Sequence, residues 1–119
     1  MIDRVASMYR LPTSATKRRA DLMELYGIVR RDGWRSVEEL QEAAARSTRV
    51  GDEEMPDRVR WIRSYVLSEP NGSLGTFCVY EATDPEAIRD HATRAGLPVD
   101  EIVKIADTVI VRPDPAVVS

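Results

Sequence analysis

A chain of 119 residues has room for one hydrophobic core and not for two domains, and 43% apolar with 31% charged residues is the mixture of a folded globular protein. One cysteine, Cys78, and one histidine, His91, exclude an internal disulfide, a zinc finger, an iron–sulfur cluster and any histidine-rich metal site built within one subunit. The formal charge of −3 divides unevenly: residues 1–22 hold five basic and two acidic side chains, and the remainder holds twelve and eighteen.

Residues 1–22 mix Ser, Thr, Pro and basic residues without a sustained apolar period, and read as a basic arm outside the core. Lys17, Arg18 and Arg19 form one short cluster without interleaved aromatic residues, which argues against nucleic acid as a partner. No stretch reaches the roughly 18 consecutive apolar residues of a membrane span, and the N-terminus lacks the apolar region of a signal peptide, so no membrane association and a cytoplasmic location are expected.

From Met23 the pattern sharpens. Met23 to Val29 is strand-like, with Arg31-Asp32-Gly33 as a turn behind it. Ser36-Val37-Glu38-Glu39 has the Ser-x-x-Glu arrangement of a helix start, and Val37, Leu40, Ala43, Ala44 and Ser47 keep helical spacing to about Arg49. Gly51 and the acidic run Asp52 to Glu54 close that helix. Val59 to Leu67 and Leu74 to Ala82, rich in aromatic and β-branched residues and separated by Glu69-Pro70-Asn71-Gly72, predict a hairpin. Asp84 caps a second helix with Pro85 in its first turn, and Gly96 ends it. Asp100 to Val111 is a last strand, broken near Ala106-Asp107. The folded domain spans residues 23–112, with a short tail, 113–119.

The order βαββαβ makes an α+β, ferredoxin-like sandwich, an antiparallel four-stranded sheet with both helices on one face. In the third strand Phe77 and Val79 oppose Cys78 and Tyr80; in the second, Trp61, Tyr65 and Leu67 oppose Ile62 and Val66. Both sheet faces are therefore apolar, and a face-to-face homodimer would cover the one that the helices leave open.

Tyr26, Trp61, Tyr65 and Tyr80 share the predicted strands with Arg30 and Arg63. Tyrosine hydroxyls and arginine heads at a sheet face suit a pocket for a small anionic or enolic ligand. Cys78 reads as a packed apolar residue, His91 as a histidine at the edge of the second helix's apolar face, and Glu81 as the carboxylate ending the third strand. No Ser-His-Asp order, phosphate loop or paired histidine spacing supports a named reaction.

Tyr65, the run Thr76 to Ala82, Asp84 to Arg89 and Ala95 to Ile102 resemble a family of small bacterial ferredoxin-like proteins often labelled nickel-binding. The likeness covers about residues 23–112. It implies the βαββαβ fold, a dimer and, in some members, nickel held by histidine and acidic side chains. Transferred residue by residue, the resemblance matches His91 and Glu81 to metal ligands, and puts Arg30 and Ala44 where nickel-binding members carry histidines. The resulting expectation is a dimeric, non-catalytic binding protein for a small ligand or a nickel-type metal ion, with no other cofactor. Two alternatives stand beside it: a cofactor-independent enzyme (isomerase, cyclase or monooxygenase-like) with a pocket at the sheet face, and an interaction module that docks through the arm.

Overall fold

The computed structural model describes residues 23–116; the basic arm of residues 1–22 lies outside them. Four strands, β1 (Glu24–Trp34), β2 (Val59–Ser68), β3 (Leu74–Ala82) and β4 (Glu101–Lys104), and two helices, α1 (Val37–Arg49) and α2 (Pro85–Ala95), follow one another as β1-α1-β2-β3-α2-β4. The sheet order is β2-β3-β1-β4, with every neighbouring pair antiparallel. This is the ferredoxin-like α+β arrangement that the sequence order predicts.

Local chemistry sets the element boundaries. The Ser36 hydroxyl accepts the Glu39 N–H at 3.2 Å, and the Glu39 carboxylate accepts the Arg35 N–H at 2.9 Å, so the start of α1 is satisfied from both directions. The Asp84 carboxylate accepts the Ala87 N–H at 2.8 Å with Pro85 in the first turn of α2. That helix ends on Gly96 at φ 70°, the left-handed cap that glycine adopts without strain.

Helix α1 ends at Arg49 as expected, and the run that follows it is a π-helical turn, Val50–Glu54, with Val50 and Gly51 buried. Three expectations need correction. The first strand does not end at the Arg31-Asp32-Gly33 turn. It continues to Trp34, with a register irregularity between Arg30 and Trp34 and with Asp32 at φ 50°. The buried Glu69 carboxylate makes that detour stable, accepting from the Asp32 N–H at 2.9 Å and from Arg31 Nη2 at 2.6 Å.

In β2, one extra residue between Trp61 and Arg63 shifts the pairing with β3. Trp61 therefore lies opposite Tyr80 on the helix-covered face, with Ser64 and Val66 opposite Cys78 and Thr76, whereas Arg63 and Tyr65 lie opposite Val79 and Phe77 on the open face. The expected grouping of Trp61 with Tyr65 on one face fails for that reason. Finally, β4 is four residues long and not twelve. After the Ile105 N–H bonds to the Leu25 carbonyl at 2.8 Å the chain leaves the sheet, and Val109, Ile110 and Val111 are exposed.

The core lies between the sheet and the helices, where Tyr26, Ile28, Cys78 and Tyr80 from the sheet meet Val50, Met55, Ala87, Ile88 and Ala95. Among the described residues no helix is long and apolar enough to cross a membrane.

Candidate functional site

Alternation along β1 turns Tyr26, Ile28 and Arg30 toward the helices. Arg30 is thus carried into the interior at 1% exposure, although an ionised side chain is rarely buried so fully without a counter-charge. Its Nη1 donates to the Pro98 carbonyl in the loop after α2 at 2.6 Å, and its guanidinium carbon stands 6.0 Å from the centre of the Tyr80 ring. Its Nη2 is buried and has no hydrogen-bond partner among the described residues.

Arg30 lines a cavity of about 290 Å³ between α1 and the helix-facing side of the sheet. Small residues on α1, Ala43, Ala44 and Ser47, leave the space open, and Trp34, Trp61, Val66, Tyr80 and Leu97 supply apolar wall. Ser64, Thr76, Gln41 and Ser47 are the neutral polar groups of the lining, Arg30 is its cation, and no acidic side chain belongs to it. Gln41, Trp61 and Val66 are exposed, while Arg30, Ser47, Thr76 and Tyr80 are buried, so the cavity opens between α1 and β2 and closes on the arginine.

Tyr80 links the parts. Its hydroxyl lies 2.8 Å from the Ser47 hydroxyl on α1, its ring stacks with Trp61 at 6.1 Å and 11°, and it meets the edge of His91 at 5.4 Å. Burial pushes the Tyr80 phenol above its ordinary value against the opposing effects of the Ser47 hydrogen bond and the Arg30 charge, so it is neutral at pH 7. His91 is buried, with Nε2 3.0 Å from the Ser47 carbonyl. A carbonyl oxygen only accepts, so Nε2 carries the hydrogen, and Nδ1 is a bare lone pair with no partner among the described residues. Burial lowers the His91 pKa, and the neutral ring follows.

Of the residues that the sequence singles out for a pocket, Arg30, Trp61 and Tyr80 come together. Tyr26 lies on the same face but in the packed core, its hydroxyl 3.4 Å from Glu24 Oε1. Arg63 and Tyr65 lie on the opposite face, where both bond to the Asp114 carboxylate, at 3.3 and 2.9 Å. The pair matched to metal ligands is also separated: His91 packs beneath the helix-facing side, whereas Glu81 points to the open face and pairs with Arg60 at 3.0 Å. Among the described residues no three His, Cys, Asp or Glu side chains are grouped to hold a metal ion. Arg30 and Ala44, the positions at which the resemblance expects histidines, both line the cavity, one as a cation and one as a methyl group. The side chains present therefore do not fit a nickel centre within one subunit.

The cavity residues that sequence reasoning does not offer as pocket lining are mainly Trp34, Ala43, Ala44, Ser47 and Leu97. The three small residues on one face of α1 carried a readable signal, since a stripe without bulk opposite large strand residues leaves space.

A four-stranded antiparallel sheet with two helices on one face and a cavity beneath the first helix defines a small ferredoxin-like α+β domain. The family of nickel responsive proteins described as SCO4226-like matches residues 26–105, and the chain belongs to that family. Among solved structures, the crystal structure of SCO4226 from Streptomyces coelicolor A3(2) is similar at a TM-score of 0.56 and 21% identity, covering 71% of this chain and 99% of that one, a likeness of fold. A comparison with curated protein sequences gave no match.

Proposed function

We propose that the protein is a cytoplasmic, homodimeric, non-catalytic binding protein whose cavity between α1 and the sheet takes a small anionic ligand against Arg30. The observation that carries this reading is the buried guanidinium with one nitrogen unpartnered, lining a space that holds no acidic side chain. An unpaired charge of this kind is costly, and an anion that reaches it recovers the missing hydrogen bond together with the missing counter-charge. The homodimer is supported by the open sheet face, where Leu25, Val29, Phe77 and Val79 lie on the side that no helix covers.

Nickel, which the family's description names, finds a cation here in place of a donor. A second reading, a cofactor-independent enzyme, is favoured by the Tyr80–Ser47 hydroxyl pair beside the cavity. A phenol raised by burial is a weak acid and no base at neutral pH, so it orients a ligand more readily than it moves a proton.

Titration calorimetry of wild type and Arg30→Gln with acetate, benzoate, phosphate and nickel chloride tests the reading. An anion should bind wild type and fail to bind the variant. Saturable nickel binding that survives Arg30→Gln, with no anion bound by either protein, would contradict it.

A further inference from the structure

Resting on the anion-binding reading, we infer that the ligand is an aromatic monocarboxylate: a flat ring in the mouth of the cavity and a single carboxylate on Arg30. The charge of the site fixes the first part. Arg30 is the one charged residue of the lining and no acidic side chain belongs to it, so one negative charge is matched and a second would be buried unpaired. Dicarboxylates and the phosphate dianion carry more charge than the site neutralises. A carboxylate suits the unpartnered Nη2, with the neutral hydroxyls of Ser47 and Thr76 among the polar lining for its second oxygen.

The walls fix the second part. Both tryptophans of the chain, Trp34 and Trp61, line the cavity together with Tyr80. Trp61 and Tyr80 already stack on one another, nearly parallel at 11°, and with Trp34 they make the lining rich in aromatic surface that an incoming ring can extend. A volume of about 290 Å³ lies at the small end of ligand pockets, enough for one ring and its carboxylate and not for a fused, drug-sized body. A rigid ring also loses less conformational freedom on entry than an alkyl chain of equal size.

Because both tryptophans border the cavity, their intrinsic fluorescence reports occupancy. Wild type would be titrated with benzoate, heptanoate, benzamide and phthalate. Benzoate is expected to bind at least about tenfold more tightly than each of the others. Arg30→Gln should lose benzoate binding. Ala44→Leu, which fills the cavity from its helical wall and leaves Arg30 in the sequence, should also lose it while keeping the wild-type circular dichroism spectrum, so the test holds even if the buried arginine cannot be replaced. Heptanoate or phthalate binding as tightly as benzoate would overturn the aromatic monoanion and leave the anion reading standing. Benzamide binding equally, or no carboxylate binding at all, would overturn both.

Discussion

The hydroxyl groups of Tyr80 and Ser47 meet at 2.8 Å in the buried layer between β3 and α1, and this contact ties the cavity's helical wall to its floor. Tyr80→Phe leaves the Ser47 hydroxyl without that partner and should cost about 1–3 kcal/mol of stability. Urea unfolding would measure it. The double variant Tyr80→Phe with Ser47→Ala should cost less than the two single changes together, since removing both polar partners leaves neither stranded.

Glu69 and Gly75 form a second tight element. The Glu69 carboxylate holds the detour in β1 through Arg31 and Asp32, and a Cβ on Gly75 would run into both that carboxylate and the Arg30 carbonyl oxygen. Gly75→Ala is therefore expected to destabilise by about 1–3 kcal/mol, since backbone cannot yield as a side-chain tip would. Glu69→Ala should cost a similar amount by releasing charge-assisted hydrogen bonds. Thermal unfolding of each variant checks both values.

His91 makes stability depend on pH. Burial lowers its pKa, partly offset by the Ser47 carbonyl and reinforced by the Arg30 charge. The unfolded chain takes up the imidazole proton near the ordinary value of 6.5, and the folded chain only at lower pH. The contribution of neutral His91 is then complete above about pH 6.5 and is lost as pH falls through the folded value. Wild type should lose stability between about pH 7.5 and about pH 5.5. His91→Gln, which keeps a donor for the Ser47 carbonyl, should lose less over that interval.

What the sequence disclosed was mostly local. Ser36, Asp84 and Gly96 announce helix ends through chemistry confined to a few residues, and the β2–β3 turn does the same with Asn71 and Gly72, so these elements were legible. The side on which Trp61 lies was not, because one inserted residue at Ile62 reverses the alternation and no local signal marks it. The end of β4 depended on whether a neighbouring strand accepts the chain beyond Ile105, which is a tertiary matter. Arg30 was legible as a strand residue beside the aromatic side chains, but its burial followed only from how Pro98 and Tyr80 enclose it. The separation of Glu81 from His91 required the sheet register.

The proposed dimer rests on the open sheet face. Sedimentation should give about twice 13.4 kDa at micromolar concentration. Val79→Asp, half-buried at the middle of that face, should shift the protein to a monomer with unchanged secondary structure.

A crystal grown with 4-bromobenzoate shows directly, through the anomalous signal of bromine, what meets the unpartnered nitrogen of Arg30. The expected electron density puts the carboxylate within hydrogen-bonding distance of Arg30 Nη2, with bromine toward the opening beside Trp61 and Val66. Bromine found only on the open sheet face or at the surface, with the cavity beneath α1 holding nothing but water at saturating ligand, would contradict it.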